Sequence, residues 1–459
     1  MPLLTRRHFA RSALAGVGLL AAPRILPSRL FGATAPSKRI RVGQIGCGRI
    51  ALGHDVPSVL ASGLADYVAV CDVDTFRSAR GKTFIEEFHA KQGTACPPLD
   101  VVHDYRELMG RKDIDAIVIS TPDHWHAEPA LAAVQAGKHV YLQKPMTMTH
   151  AEGRLLRDVI ARSGCIFQLG AQQRSSQQFR RACELVRSGR VGNLRTVEIG
   201  LPVDETAPDQ PEQPVPPELD YDQWLGPTPF EPYTEQRVHS NGESSRPGWL
   251  RNDAYCLGMI TGWGAHHYDI LHWALDLEDG GPTRIEGRAD FPTNRVWNVH
   301  GSFRVELDYP RGVKVVVSDT FPNGLKFIGD DGWIFVSRNS VPTTDPTVPR
   351  GRLRPLDASR PELLEAAGVS VELPRSTEHH LNWVEAVLAG RQALVPAPVS
   401  HRVNTACIAS WIAMKLGRPL RWDAASDRFI DDAAANALLA RPERGRYGAH
   451  RLAATLGIS

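Results

Sequence analysis

No pairing framework can be drawn from the cysteines of this chain. There are seven, an odd number, at positions 47, 71, 96, 165, 183, 256 and 407, and their separations match neither a disulfide scaffold nor a metal-binding set. Most of them read as buried thiols. Strong charge of one sign is missing too: 53 basic against 51 acidic residues leave a formal net charge of +2. With no basic cluster beyond the N-terminus, the electrostatic case for a nucleic-acid partner falls away. The apolar early segment Ala13 to Ala22 is too short, and too small in its side chains, to span a bilayer. No internal repeat is evident. What is left is an ordinary globular composition, 42% hydrophobic and 23% charged over 459 residues, long enough for two or three domains and suited to small-molecule partners.

The first residues read as an address. Thr5-Arg6-Arg7-His8-Phe9 resembles the twin-arginine export motif, an apolar stretch follows, and Ala33-Thr34-Ala35 offers a cleavage site. Residues 1–35 are therefore expected to be a signal peptide, with a mature periplasmic chain that begins near Pro36 and keeps no stable membrane span. Export of an already folded protein from a reducing cytoplasm also accounts for unpaired cysteines.

From Arg39 to Asp74 the sequence lays out the parts of a dinucleotide-binding unit in order. The apolar run Ile40 to Ile45 predicts a buried strand, and Gly46-Cys47-Gly48-Arg49-Ile50-Ala51 follows at once as a G-x-G-x-x-A turn. Gly46 permits the tight turn, Gly48 lets a pyrophosphate approach the backbone, and the N–H groups opening the next helix, from Arg49 and Ile50 on, attract phosphate. A second strand from Tyr67 ends at Asp72, about 20 residues past the glycines, where a carboxylate can accept hydrogen bonds from ribose hydroxyls. That carboxylate repels a 2′-phosphate, so NAD is favoured over NADP.

Strand and helix continue to alternate, which predicts a parallel sheet. Ala116 to Ser120 and His139 to Leu142 read as strands, and two polar loops follow their C-terminal ends: Thr121-Pro122-Asp123-His124-Trp125-His126 and Gln143-Lys144-Pro145. Ligands bind at that edge of such sheets. Thr121, Pro122, His124, His126, Gln143 and Lys144 are accordingly expected at the cofactor.

These motifs, with Ala136-Gly137-Lys138-His139-Val140 and the later Gly262-Trp263-Gly264-Ala265-His266-His267-Tyr268-Asp269, resemble the Gfo/Idh/MocA family of sugar and cyclitol oxidoreductases, specifically its exported members. The resemblance covers essentially the whole mature chain. It implies that Lys144 occupies the catalytic lysine position of a Glu-Lys-Pro motif and that His266 matches the histidine of an Asp-x-x-x-His pair. Two positions depart from that pattern: Gln143 replaces the glutamate and Gly262 the aspartate. Without a carboxylate at 262, nothing at that position raises the pKa of His266 or fixes its tautomer.

Read as a helix, Met259 to Leu275 puts His266, Asp269, Ile270 and Trp273 along one face and turns His267 about 100° away. Asp269 is thus a candidate to stand in for the missing carboxylate, and His267 a candidate second base. Trp263 is the tryptophan expected at the sugar, ahead of Trp125, Trp224, Trp249 and Trp273. A metal-dependent hydrolase is the competing reading, with His124, His126, His266, His267 and Asp269 as ligands. A non-catalytic sugar or NAD sensor is another. The dehydrogenase reading expects no metal.

After Gly164 the pattern changes. A helix from Phe179 and a strand from Leu194 to Gly200 lead into a loop with six prolines between 202 and 217. Past the histidine helix, strands follow one another without helices between them, with period-two alternation at Phe303, Val305 and Leu307, which predicts an antiparallel sheet. The expected architecture is α/β: a Rossmann domain over 37–165, an α+β substrate and oligomerisation domain with a largely antiparallel open sheet over 166–376, and closing helices with a tail over 377–459. By the family resemblance, the open face implies a homodimer or homotetramer. Lys144 and His266, from different domains, are expected to converge on a carbohydrate hydroxyl beside a tightly bound nicotinamide. Export sharpens this, because outside the cytoplasm there is no NAD pool to exchange with. Either a second sugar takes the hydride, or the substrate receives it back, as in relatives that cleave glycosides by transient ring oxidation.

Overall fold

Apolar runs without alternation become strands covered on both faces. In the computed structural model β1 (Ile40–Ile45), β2 (Ala65–Cys71), β3 (Asp100–Val102), β4 (Ala116–Ile119), β5 (His139–Leu142) and β6 (Phe167–Leu169) form one parallel sheet in the order β3-β2-β1-β4-β5-β6. Strand order reverses between β1 and β4, and a crevice opens at that point beyond the strands' C-terminal ends. Described residues run from 39 to 458 apart from 205, 207, 240–247, 278, 279, 295, 347, 349 and 350. The expected signal peptide lies outside them. No helix among the described residues is long and apolar enough to cross a membrane.

The connecting helices are α1 (Val56–Ala61), α2 (Thr75–Gln92), α3 (Tyr105–Met109), α4 (Ala127–Gln135) and α5 (His150–Ser163). Their ends are written in side chains. Asp74 caps α2 by accepting from the N–H groups of Phe76 and Arg77, and Thr149 with Glu152 forms a capping box on α5. One element carries no such signal: Ala51–Asp55, between the glycine turn and α1, is a π-helical turn.

In the second domain, α6 (Gln177–Arg187), β7 (Leu194–Gly200) and α7 (Gly264–Leu275) precede β8 (Arg284–Ala289), β9 (Phe303–Asp308), β10 (Lys314–Ser318), β11 (Gly324–Gly329) and β12 (Gly332–Val336). A small ribbon of β13 (Val341–Pro342) and β14 (Arg352–Leu353) follows, then β15 (Leu356–Ala358), α8 (His379–Ala389), α9 (Ala397–Leu416), β16 (Leu420–Asp423), β17 (Arg428–Phe429) and α10 (Ala449–Thr455). Nine strands pair in the order β15-β12-β11-β7-β10-β9-β8-β16-β17. All neighbours are antiparallel except β7 and β10. Phe303, Val305 and Leu307 point inward to a core shared with α6, α7 and α9. The outer face carries ion pairs instead, such as Arg304 with Glu306 and Lys314 with Asp308.

Three expectations need correcting. The parallel sheet runs on to Leu169, so a boundary at 165 would cut off its sixth strand. Residues 377–459 are not a separate closing layer: Trp383 and Val384 of α8 pack with β1 and β2, and Ala449 and Ala453 of α10 with β4 and β5. The helix expected from Met259 to Leu275 is two helices, Met259–Gly262 and α7, joined at Trp263.

Past the proline-rich stretch, Leu219, Tyr221, Trp224, Leu225, Tyr233, Val238 and Tyr255 form a small core of their own. Backbone bonds tie it to the turn after β2, with the Thr75 N–H donating to the Glu218 carbonyl and the Asp220 N–H to the Val73 carbonyl, each at 2.9 Å.

Candidate active site

Only a residue without Cβ fits the first position of the glycine turn. Gly46 has φ of +84°, and a Cβ there would come 2.8 Å from the Ser120 carbonyl oxygen. At Gly48 a Cβ would meet just the Arg77 guanidinium, at 3.4 Å. The missing side chain therefore leaves one wall of a cavity open to backbone approach. Gly46, Gly48, Arg49, Ile50 and Asp72 line one part of this cavity, and Thr121, Pro122, Gln143 and Lys144 another. Such a crevice fits a dinucleotide: a glycine turn opening onto a helix start for phosphate, a carboxylate toward the adenosine end, an amine toward the other.

Asp72 is held by the turn it serves. Its oxygens accept from the N–H groups of Cys47, at 2.7 Å, and Asp74, at 3.0 Å. Burial lifts its carboxyl above the usual range.

A roof covers this crevice, contributed by the small core of residues 219–255. Leu219, Trp224, Val238, His239 and Trp249 face the same cavity as the glycine turn. His239 closes against the nucleotide domain with Nε2 3.2 Å from Asp74 Oδ2, and its Nδ1 lies 2.7 Å from the Tyr233 hydroxyl. Three of the candidate tryptophans, 125, 224 and 249, thus belong to the nucleotide cavity. Trp273 is buried under the Arg174 guanidinium.

Beneath Lys144, Gln143 explains its own departure from the family pattern. Its amide nitrogen donates to Asp55 Oδ1 at 2.7 Å, and its oxygen accepts from the Lys144 N–H at 3.2 Å. Asp55 is fully buried, and it also accepts from Ser120 Oγ at 2.7 Å and from His380 Nε2 at 3.0 Å. Burial opposes both charges of this pair. Hydrogen bonds from His380 and Ser120 nevertheless hold the Asp55 carboxyl well below its usual range. Asp55 and Glu378, on either side, raise His380 to about 9. A glutamate at 143 would set a second carboxylate against Asp55, whereas the amide supplies a donor. The Lys144–Pro145 peptide is cis.

The histidines separate by their partners. His126 lies between the Pro145 carbonyl, 2.6 Å from Nδ1, and the Thr121 carbonyl, 3.1 Å from Nε2. His124 Nε2 is 2.9 Å from the Trp224 carbonyl. Both brace loops, and neither lines the nucleotide cavity, which corrects their assignment to the cofactor. With these rings turned to carbonyls, they are not arranged as metal ligands with one another or with His266.

His267 is also engaged, its Nε2 2.8 Å from Asn323 Oδ1. Oriented to suit its neighbours, the Gln173 amide donates to the His266 carbonyl at 3.1 Å and to His267 Nδ1 at 3.3 Å, and accepts from Arg338 Nε at 3.2 Å. That arrangement fixes the His267 proton on Nε2 and leaves no nitrogen for a substrate. Asp269 does not replace the missing carboxylate. Arg174 grips both its oxygens, with bonds of 2.8 Å to each, and the two side chains are buried together.

His266 differs from all of these. It is 5% exposed, its Nδ1 is buried without a partner, and no protein group bonds its Nε2. Among the described residues no other histidine lacks partners in this way. Burial first, then the positive charges of Arg338 and Lys144, push its pKa well below 6.5, so the ring is neutral and able to accept a proton. Trp263 packs edge-on to it, with ring centroids 6.1 Å apart.

Asp55, Ser120, Gln173, His380, Asn323 and Arg338 were invisible to sequence reasoning. For Asp55 the faint signal was a carboxylate in the helix that follows the glycine turn; the others have none.

Comparison with known proteins agrees with this fold. Residues 40–171 match the model of an oxidoreductase family's NAD-binding Rossmann fold, and residues 206–449 that of the same family's C-terminal alpha/beta domain. A dTDP-3,4-didehydro-2,6-dideoxy-alpha-D-glucose 3-reductase of Streptomyces antibioticus is 31% identical over 177 residues, 39% of this chain and 49% of that protein. Glycosyl hydrolase family 109 protein 2 of Shewanella sp. (strain ANA-3) is 34% identical over 131 residues, 28% of each chain. The match thus spans half or less of these relatives' length. Two solved structures share the fold at 15% identity: an aldose-aldose oxidoreductase from Caulobacter crescentus (TM-score 0.59; 84% of this chain, 100% of that one) and a dehydrogenase from Bordetella pertussis in complex with NADH and UDP-GlcNAcA (TM-score 0.57; 84% and 99%).

Proposed function

This chain belongs to the Gfo/Idh/MocA oxidoreductase family, and from that premise we propose that it moves a hydride between a ring hydroxyl of a sugar or cyclitol and a tightly held NAD. The observation that carries this reading is a roofed dinucleotide crevice with Lys144 in its wall, beside a buried imidazole, His266, that lacks any protein partner. Sugar-modifying names among its relatives support the substrate class.

When bound, the nicotinamide supplies a hydride acceptor for the carbinol carbon. Neutral His266 takes the hydroxyl proton, because burial and two nearby cations keep it deprotonated. Lys144 donates a hydrogen bond to the same oxygen and steadies its negative charge as the proton leaves. Asp55 and Gln143 hold the Lys144 turn in place. At the adenosine end, Asp72 favours NAD over NADP. The roof, bonded to the domain it covers, favours retention over exchange. Retention suits a protein exported through the twin-arginine route, as residues 1–35 suggest. The outer face of the nine-stranded sheet is the surface for a homodimer or homotetramer.

A redox-neutral glycoside hydrolase is the second reading, favoured by the family 109 relatives and by the same roof. One assay separates the two. Purified protein is incubated with glycosides while absorbance at 340 nm and aglycone are followed. Aglycone release without net change at 340 nm would reject the simple dehydrogenase. Unchanged function in Lys144→Ala would reject both in favour of a sensor.

A further inference from the structure

Resting on the oxidoreductase reading, the charges around His266 specify what else the substrate carries. Three observations converge there. The Arg338 guanidinium, two residues past β12 and solvent-accessible, lies over Trp263 at 4.6 Å from the ring centroid, and its Nε donates to Gln173 at 3.2 Å. No carboxylate of the described residues pairs with it. Aromatic stacking and the single Nε bond orient the group while leaving the fork of its two terminal nitrogens for another partner.

The second observation is a missing charge with room where it would stand. Gly262 precedes His266 by one helical turn, and Trp263 between them keeps helical angles of φ −89° and ψ −33°. A Cβ built at Gly262 meets nothing within 4 Å. Space beside the imidazole is thus available to a ligand. Third, the carboxylate closest in sequence to His266, Asp269, is neutralised by its buried bonds to Arg174. Lys144 and Arg338 both bear on His266 as positive charges.

We propose that the substrate is an acidic carbohydrate, with a carboxylate or equivalent oxyanion on the sugar, and that the Arg338 fork receives that group above Trp263. Paired hydrogen bonds from a guanidinium to a carboxylate are strong and geometrically selective. A site built for such a group discriminates sharply against the neutral analogue, which leaves the guanidinium unpaired. Arg338 is thus a specificity residue, and the ring hydroxyl is presented to Lys144 and His266 by the grip on the acid group.

The test uses the full chain as purified. Binding of methyl uronosides of the gluco, galacto and manno series, of the matched neutral methyl glycosides and of the matched 6-phosphates is measured by titration calorimetry, and reduction of bound cofactor at 340 nm in parallel. At least one uronoside or phosphate is expected to bind tenfold or more tightly than its neutral counterpart, and the stronger of the two arms identifies the oxyanion. Arg338→Gln is expected to remove that preference by weakening the acidic ligand ten- to hundredfold while leaving the neutral one unchanged. Gly262→Asp, which places a carboxylate in the open space, is expected to weaken the acidic ligand selectively. Equal affinity for acidic and neutral sugars, or equal losses for both in Arg338→Gln, would overturn the proposal. If acidic sugars bind through Arg338 but the cofactor never changes redox state, the oxidoreductase reading fails and this one stands.

Discussion

Set side by side, the two halves of the cleft treat their polar groups in opposite ways. Around the dinucleotide crevice the named polar side chains are engaged within the protein: Asp72 by two backbone N–H groups, Asp55 by Ser120, Gln143 and His380, His126 by two carbonyls. Around His266 the imidazole has no partner at all, Arg338 has one hydrogen bond, and Gly262 leaves a space. Unmade hydrogen bonds in a buried site cost stability, and they persist where a ligand completes them. On the proposed function, the first half suits a molecule held continuously and the second one met repeatedly.

The contrast can be broken most severely at Lys144, which belongs to both halves. Lys144→Ala is expected to lower turnover about 10³-fold, with nucleotide still present when the purified protein is denatured and its supernatant scanned. Next comes the pair of adjacent histidines. His266→Ala is expected to lose about 10²-fold in kcat with little change in stability. His267→Ala should instead lose less than about tenfold in kcat but cost about 1–2 kcal/mol in denaturant unfolding, because Asn323 and Gln173 are left unpaired. Equal behaviour of the two would erase the distinction between them. On the cofactor side, Gln143→Glu sets a carboxylate against Asp55 and is expected to cost about 2–4 kcal/mol of unfolding free energy.

A smaller effect comes through pH. His380 is raised from 6.5 to about 9 in the folded protein, so the stability it contributes is complete below pH 6.5 and is lost as pH rises through about 9. Unfolding free energy should fall over that window, and the fall should vanish in His380→Gln. Smallest of all, His239→Gln loosens the roof where it meets Asp74, and nucleotide release, followed by fluorescence, should quicken about three- to tenfold.

Local pattern made much of the architecture readable. The bounds of β1, β5 and β7 follow from the sequence as written, because a strand buried on both faces is an unbroken apolar run and an amphipathic one alternates. Gly46 and Gly48 were legible because φ and close approach demand them. The pairing of Asp55 with His380 was not, since it joins positions 325 apart through a π-turn that no residue advertises. Nor did the prolines between 202 and 217 reveal that the chain beyond them returns to cover the crevice. Asp269 misled for a related reason: helical spacing places it near His266, but Arg174, 95 positions earlier, offers a charge that spacing cannot register.

That covering segment has a bearing on how the protein is made. It is bonded through Glu218 and Asp220 to the loop after β2, although it is synthesised after the whole of the first sheet. A dinucleotide captured before this late piece docks would be walled in by the completion of folding itself. Occupancy would then be a record of assembly, and the nucleotide content of a preparation would count the molecules that closed around their cargo.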